Sequence, residues 1–305
     1  MNLNTDFSEL QREKTAQIEE ILKEYLPEEE GYQRVIMEAM GYSLMAGGKR
    51  LRPMLMQETY RLFAGEEAGE KKCALHAFMA AQEMIHTYSL VHDDLPAMDD
   101  DDYRRGRKTT HVVYGEDMGI LAGDALLNFA FETAAGAFEK APAECTKIAR
   151  AMGILSRKAG IYGMIGGQVI DVKETGHAVE KEVLDTIYEL KTSALIESSM
   201  MIGAVLGGAS EPDICKVEQI ARRVGVAFQI QDDILDVTST KEVLGKPIHS
   251  DEKNEKTTYV TLFGVEEASK MVEEKSEEAI AELKSLNGEN TYLEQLLLQL
   301  VHRDK

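Results

Sequence analysis

Apolar residues recur at intervals of three and four along most of this chain, and this spacing constrains its fold more than any other feature. The segments 18–25 and 183–194 show it most clearly. Residues spaced in this way lie on one face of an α-helix and are buried together. The apolar–polar alternation that indicates strands is nearly absent, so the sequence predicts an all-α protein. The two runs consist of Ile18, Ile21, Leu22 and Tyr25, and of Val183, Leu184, Ile187, Leu190 and Ala194.

Short breaks join the predicted helices, and none has the length or composition of a domain linker. We therefore expect residues 1–305 to form one large helical bundle. The least polar run, SSMMIGAVLGGA at 198–209, is shorter than the roughly 20 apolar residues that span a bilayer. It predicts a buried helix and no stable membrane insertion.

Charge and cysteine content limit the possible functions. The chain has 34 basic and 54 acidic residues and a net charge of −20, which disfavours nucleic acid as a partner. An anionic small molecule is compatible with this charge where basic residues are gathered locally. The three separated cysteines indicate neither a disulfide framework nor a zinc site, and the N-terminal segment lacks the apolar core of a signal peptide. A cytoplasmic protein is therefore expected.

Two carboxylates are brought together in the stretch FQIQDDILDV at 228–237. Asp232 and Asp236 are four residues apart, so on a helix they lie one turn apart on the same face. Their surroundings are largely apolar, and buried aspartates need a partner. A hard divalent cation such as Mg²⁺ would serve. The alternative is a solvated helix end, whose carboxylates need no cation.

A second acidic cluster occurs in VHDDLPAMDDDDYRRG at 91–106. On a helix running from Ala80, His86 and Asp93 share one face. Pro96 should end or kink that helix near Leu95, which would let Asp99 turn back toward Asp93. We interpret the run at 100–102 as a solvated loop.

Basic residues accompany this acidic cluster. Arg104, Arg105 and Arg107 follow it directly, and the stretch GGKRLRP at 47–53 is a second compact cationic group. The planar guanidinium of arginine suits phosphate oxygens. Carboxylates that hold Mg²⁺ beside cations that hold phosphate predict a Mg²⁺–diphosphate site. For GGKRLRP alone, a solvated helix start is the alternative.

These motifs resemble those of the trans-isoprenyl diphosphate synthases, and among them the bacterial farnesyl diphosphate synthases. The resemblance covers nearly the whole chain and implies an all-α bundle around a deep central cavity, the isoprenoid synthase fold. It also implies a homodimer and Mg²⁺ as cofactor, with three ions per site and Mn²⁺ as a substitute. The stretches that carry it are GGKRLRP, IHTYSLVHDDLPAMDDDDYRRG, LAGDALL, GGQVIDV, KTSALI, FQIQDDILDV and LGKPIHSDEKNEKTTYV.

The resemblance also assigns roles to residues. The metal ligands would be Asp93, Asp94 and Asp99 from the first motif and Asp232, Asp233 and Asp236 from the second. The allylic diphosphate would contact Arg104, Lys191, Lys246 and Lys256. The isopentenyl diphosphate pocket would comprise Gly48, Lys49, Arg52, His86 and Arg105. Thr192 and Gln229 would lie near the developing carbocation, with Gln168 and Asp171 lining the same cavity.

The implied reaction condenses isopentenyl diphosphate head-to-tail with dimethylallyl and then geranyl diphosphate. Tyr88, five residues before Asp93, matches an aromatic that blocks further chain growth in the bacterial farnesyl synthases, so we expect a C15 product. Geranylgeranyl or geranyl diphosphate is the alternative. His249 departs from the glycine that is frequent before the Ser-Asp pair, and the tail at 302–305 resembles a basic tail that helps close the site.

Three other classes fit fewer of these residues. An all-α metal phosphohydrolase of the H…HD…D type would use His76, His92 and Asp93, but leaves the second aspartate motif unexplained. A terpene synthase shares the ionisation step but has no need of GGKRLRP. A non-catalytic helical scaffold or subunit has no need of intact motifs.

Overall fold

The computed structural model describes residues 3–239 and 256–301, with side chains from residue 7 onward. Within these ranges the secondary structure is helical apart from one short hairpin, which confirms the predicted all-α class. The helices are α1 (Leu3–Glu24), α2 (Arg34–Leu44), α3 (Leu51–Ala64), α4 (Gly69–Asp93), α5 (Thr110–Tyr114), α6 (Glu116–Lys140), α7 (Cys145–Ala159), α8 (Met164–Glu174), α9 (Lys181–Ile187), α10 (Ala194–Gly207), α11 (Glu211–Thr238), α12 (Tyr259–Phe263), α13 (Val265–Lys284) and α14 (Thr291–Val301). The hairpin pairs β1 (Tyr103–Arg104) with β2 (Arg107–Lys108), a 3₁₀ turn covers Pro142–Glu144, and a π-helical turn covers Tyr188–Ser193.

The described chain divides into two compact units. Unit 1 contains the described residues up to Gln57 together with Glu67–Met152, and unit 2 contains Glu58–Glu66 and the described residues from Gly153 onward. The first aspartate motif and GGKRLRP belong to unit 1, whereas KTSALI and the second aspartate motif belong to unit 2.

Unit 1 is built around α4, whose main packing partner is α6. The α4 side chains Leu75, Phe78 and Met84 are fully buried. The buried face of α6 consists mainly of glycine and alanine at intervals of three and four. Such small side chains let two helix backbones approach closely, and this close packing supports the C-terminal end of α4, where the first aspartate motif begins.

Unit 2 is built around α10 and α11. Nearly every residue of α10 is buried, as is expected of a helix that is apolar on all sides, and the predicted buried helix at 198–209 is thereby confirmed apart from its last two residues. On α11 the residues Val224, Ala227, Ile230 and Ile234 are buried, so the apolar period found in the sequence is the packed face. Its main partners are α13 and α10.

Three local predictions need correction. The helix that carries His86 begins at Gly69 and not near Ala80. The run 183–194 is not one regular α-helix, because a π-helical turn replaces α-helical geometry over Tyr188–Ser193. The hairpin at 103–108 has no counterpart in the sequence-based reading, since its strands are only two residues long. Across the described residues, no helix combines the length and apolarity needed to cross a membrane.

The start of α11 provides a test of the fold. Ser210 caps this helix, with its Oγ accepting a hydrogen bond of 3.3 Å from the Asp213 backbone N–H. We expect Ser210→Ala to lower the free energy of unfolding by about 1 kcal/mol, and Ser210→Gly by only a few tenths. Denaturant titration followed by circular dichroism measures both. An unchanged free energy of unfolding in Ser210→Ala would show that the cap contributes nothing.

Candidate active site

The first aspartate motif folds back on the end of α4. The helix ends at Asp93, and the chain after Pro96 returns so that the Asp99 N–H donates to the Asp93 carbonyl at 2.9 Å. The Asp101 N–H likewise donates to the Asp94 carbonyl at 3.2 Å. The prediction that the proline break lets Asp99 return to Asp93 is confirmed at the level of the backbone.

The hairpin that follows directs two adjacent arginines, Arg104 and Arg105, to different neighbours. Its turn residues, Arg105 and Gly106, have φ angles of +53° and +74°, the pattern of a two-residue hairpin turn that suits the twist of the strands. Arg104 lies against Asp94, whereas Arg105 Nη1 donates to the Gly47 carbonyl. The turn thus separates two cations that are adjacent in sequence.

Asp94 and Arg104 form a buried ion pair. Arg104 Nε and Nη2 each lie 2.6 Å from Asp94 Oδ1, and Asp94 is only 4% exposed. Burial raises the pKa of Asp94 above its ordinary value, although Arg104 opposes this shift. The sequence assigns Asp94 to the metal and Arg104 to a diphosphate, but here the two bind each other.

The GGKRLRP segment is a strained loop that leads into α3. Gly48 has a φ of +124°, and a Cβ at this position would lie 2.7 Å from the Cζ of Arg105, so only glycine admits the arginine. Arg50 also adopts a positive φ of +48°, which is costly for a residue with a side chain. Within the described residues, the non-glycine residues with positive φ are Arg50, Asp100 and Arg105. All three belong to the predicted motifs, where strain is characteristic of functional sites.

Arg50 is structural and was not assigned a role from the sequence. Its guanidinium is fully buried and donates to Glu83 Oε1 at 2.9 Å and to the Leu44 carbonyl at 2.8 Å. Glu83 is 2% exposed and precedes His86 by one helical turn on α4. The sequence did contain one sign of the Arg50–Glu83 pair, because Glu83 lies three residues before the predicted ligand His86 on the same face of α4.

The residues predicted to bind isopentenyl diphosphate gather in unit 1 as a cationic pocket. Arg52 has a buried Nε with no hydrogen-bond partner among the described residues, and burial lowers its pKa to about 10. Burial, followed by the charges of Arg52, Arg105, Arg104 and Arg50, holds the pKa of His86 well below its ordinary value. The imidazole is therefore neutral at physiological pH. Lys49 is exposed at the same loop.

In unit 2 the second aspartate motif occupies the last two turns of α11. Asp233 and Asp236 are each 3% exposed, so a solvated helix end is the wrong interpretation for these two. Asp233 Oδ2 accepts hydrogen bonds from the Tyr188 hydroxyl at 2.5 Å and from the Tyr259 N–H at 3.2 Å. Asp232 is half-buried. Tyr188, which no sequence motif singled out, therefore anchors the central aspartate.

The π-helical turn carries two of the predicted catalytic residues. Thr192 Oγ1 donates to Gln229 Oε1 at 2.9 Å, so the pair assigned to the carbocation is brought together. Lys191 Nζ donates to Asp171 Oδ2 at 2.6 Å, and Lys256 Nζ reaches the same oxygen at 3.1 Å. Burial alone would raise the pKa of Asp171, but Lys191 and Lys256 together hold it below its ordinary value.

These side chains line one open cleft of unit 2. Its wall includes Asp171, Lys191, Thr192, Gln229, Asp233 and Lys256. Gln168 lies on α8, one turn before Asp171. Lys246, His249 and the tail at 302–305 lie outside the described residues. Asp171, placed by the sequence only as lining the cavity, is the carboxylate that joins the two lysines.

The donor set suits Mg²⁺, since carboxylate oxygens are the ligands that hard cations prefer. In the described part of the chain, however, no three side chains of His, Cys, Asp or Glu converge as a metal site on their own. Oxygens from a diphosphate would complete such a coordination shell. The fit is therefore to a metal that binds with its substrate.

The phosphohydrolase alternative finds no support in the histidines it requires. His76 and His92 lie 16 residues apart on α4, about 24 Å along a helix. His76 Nε2 lies 3.1 Å from Glu67, and His92 Nε2 lies 3.0 Å from the Ile120 carbonyl. They cannot share one metal ion.

Comparisons with known proteins agree with this geometry. Residues 33–296 match the family described as Polyprenyl synthetase. A geranylgeranyl diphosphate synthase of Cyanophora paradoxa is 44% identical over 269 residues, which are 87% of this chain and 86% of the relative.

Solved structures agree as well. The apo structure of an FPP/GFPP synthase from Zymomonas mobilis has a TM-score of 0.84 and 31% identity, covering 97% of this chain and 99% of that one. A geranyltransferase of Helicobacter pylori, complexed with magnesium and isoprenyl diphosphate, has a TM-score of 0.83 and 30% identity, covering 96% and 95%. With its two aspartate motifs and gathered cations, this chain therefore belongs to the polyprenyl synthetase family, as a short-chain prenyltransferase.

Proposed function

We propose that this chain is a farnesyl diphosphate synthase. It condenses isopentenyl diphosphate head-to-tail (1′-4) with dimethylallyl diphosphate and then with geranyl diphosphate. The observation that carries the proposal is the gathering of cations at two places in a chain of net charge −20, namely the cationic pocket of unit 1 and the lysine pair of unit 2. Two diphosphate sites are what a condensation of two diphosphates requires.

The two substrates use different residues. Isopentenyl diphosphate binds at Gly48, Lys49, Arg52, His86 and Arg105, where a neutral His86 can donate a hydrogen bond without adding charge. The allylic diphosphate binds at Arg104, Lys191, Lys246 and Lys256. Arg52 supports this assignment, because a buried donor without a partner in the described residues is matched by a phosphate oxygen.

Ionisation of the allylic substrate is the step that needs assistance, because heterolysis builds negative charge on the departing diphosphate. Fixed cations aimed at that charge stabilise it strongly when water is excluded. Lys191 and Lys256 hold the leaving group at its oxygens. Asp93, Asp94 and Asp99 of the first motif and Asp232, Asp233 and Asp236 of the second would hold Mg²⁺, which supplies further charge neutralisation. Three ions are proposed per site, with Mn²⁺ as a substitute.

The remaining residues guide the cation. The Thr192 hydroxyl and the Gln229 amide, already joined by a hydrogen bond of 2.9 Å, place oxygen dipoles beside the positive carbon. The double bond of isopentenyl diphosphate attacks this carbon, and the released diphosphate takes the proton that is then lost. Exclusion of water from the site during the reaction prevents capture of the cation as an alcohol.

The proposal of a C15 product rests on Tyr88. This residue is 5% exposed on α4, and its ring packs edge-on against His92 with centroids 5.9 Å apart. An aromatic ring fixed about one and a half helical turns before the first aspartate is suited to stop the growing chain. A C20 product is the second candidate, because a relative that is 44% identical is named geranylgeranyl diphosphate synthase.

Three further points belong to the proposal. Residues 1–305 act as one domain, since a single family match spans 33–296. The enzyme works as a homodimer, which light scattering after gel filtration tests. A cytoplasmic location is consistent with the three cysteines, which form no disulfide; the compartment is tested by fractionation.

The overall activity is tested by incubation with Mg²⁺ and radiolabelled isopentenyl diphosphate together with dimethylallyl diphosphate. Chain length of the dephosphorylated products separates C15 from C20. Phosphate release without a prenyl product would favour a phosphohydrolase instead.

The first prediction concerns product length. Tyr88→Ala removes the ring and should shift the products to C20 and longer, as chromatography of the prenyl alcohols would show. Tyr88→Phe is the matched control: it removes only a hydroxyl that is buried without a partner in the described chain, so the C15 product should persist. A Tyr88→Ala enzyme that still stops at C15 contradicts the role of Tyr88.

The second prediction concerns the aspartates. Asp93→Ala and Asp232→Ala should each lower kcat by about 10²–10³-fold, since each removes part of the electrostatic stabilisation of the leaving group. Calorimetry with Mg²⁺ and inorganic pyrophosphate should show weaker joint binding. Asp102→Ala, on the exposed loop, is the control and should leave both quantities unchanged. Full activity in either motif variant would refute the metal assignment.

A further inference from the structure

Helix α8 meets Lys191 at both ends of the lysine. Gly167 lies against its backbone and Asp171 binds its ammonium group. Gly167 and Asp171 are four residues apart on α8, so they lie one turn apart on the same face of the helix. Helix α8 therefore contacts Lys191 both at its backbone and at its ammonium group.

The backbone contact depends on the absence of a side chain at Gly167. A Cβ at this position would lie 2.2 Å from the Lys191 N and 2.7 Å from its Cα. The π-helical turn is also close to α11, because a Cβ on Gly225 would lie 2.5 Å from Ser193 Oγ. The turn therefore packs closely against Gly167 of α8 and Gly225 of α11.

The side-chain contact is ionic. Asp171 Oδ2 accepts from Lys191 Nζ at 2.6 Å and from Lys256 Nζ at 3.1 Å. Two ammonium groups at such distances from one oxygen repel each other, and the carboxylate between them offsets that repulsion. The lysines come from segments far apart in the sequence, so Asp171 is the group that holds them as a pair.

We propose that Gly167 and Asp171 are positioning residues: together they fix Lys191 at both ends, keep Lys256 beside it and present two ammonium groups to the allylic diphosphate. The proposal rests on the function proposed above. It adds that the alignment of the lysines is set by α8 and precedes binding of the substrate, so that substrate binding does not have to gather two repelling cations.

The central experiment compares Asp171→Asn with Glu182→Gln, which removes an exposed carboxylate of α9 that does not line the cleft. Loss of charge-assisted hydrogen bonds to both lysines should raise the KM for dimethylallyl diphosphate about tenfold and lower kcat. The KM for isopentenyl diphosphate should stay unchanged, and Glu182→Gln should match the wild type. A general loss of stability would lower kcat without this split between the two substrates.

Binding is measured separately, by calorimetry with inorganic pyrophosphate and Mg²⁺. Asp171→Asn should bind pyrophosphate about tenfold more weakly, because the lysines are no longer aligned. Tighter binding in this variant would overturn the proposal, since it would mean that Asp171 competes with the diphosphate for the lysines.

A double-mutant cycle tests whether Asp171 acts through Lys191. In a Lys191→Met background, Asp171→Asn should weaken pyrophosphate binding by a clearly smaller factor than in the wild type. Equal factors in both backgrounds would show that Asp171 acts independently of this lysine.

The backbone contact is tested by Gly167→Ala, with Gly153→Ala as control because a Cβ on Gly153 meets no atom within 4 Å. Displacement of Lys191 should lower kcat/KM for the allylic substrate by about 10²-fold, while Gly153→Ala keeps full activity. Thermal melts show whether each variant folds. If Gly167→Ala does not fold, the result of Asp171→Asn decides whether α8 positions Lys191.

A wild type without prenyltransfer activity refutes the proposed function, whereas an active wild type with an unchanged Asp171→Asn refutes only the role of α8.

Discussion

The ion pair between Asp94 and Arg104 is the interaction on which the geometry of unit 1 depends. It joins the end of α4 to the hairpin, with both nitrogens 2.6 Å from one carboxylate oxygen. Once Arg104 is fixed, the turn directs Arg105 toward the glycine loop. Removing Arg104 would leave the buried Asp94 carboxylate without this ion pair, which typically costs about 3–5 kcal/mol. The first aspartate motif, in which many like charges lie close together, is thus stabilised by the ion pair between Asp94 and Arg104.

The same rule extends to the other charged groups. Arg50 is balanced by Glu83, and the Lys191–Lys256 pair by Asp171. In both of these cases a carboxylate on a helix neutralises a cation that a loop or turn supplies. Charges balanced in this way position neighbouring residues. A donor without a hydrogen-bond partner in the described residues, such as the Nε of Arg52, is suited to bind an incoming anion.

Local patterns in the sequence predicted much of this structure. The apolar period of α11 and the proline break after α4 depend on residues close together in the chain, so spacing alone revealed them. The sequence did not predict the π-helical turn, because the turn is in close contact with Gly167 and Gly225, which come from other helices. The bond from Tyr188 to Asp233 joins residues 45 apart. Local spacing does not predict a contact between residues so far apart in the sequence. The binding of both Lys191 and Lys256 by Asp171 was not predicted for the same reason.

The hairpin at 103–108 depends on the end of α4 for its stability. Two strands of two residues cannot persist alone in water, because even longer isolated hairpins are at best marginally stable, and Arg105 adds the cost of its positive φ. The hairpin is therefore stabilised by the contact of Arg104 with Asp94 at the end of α4. A change that loosens the end of α4 would displace Arg104 and Arg105 together.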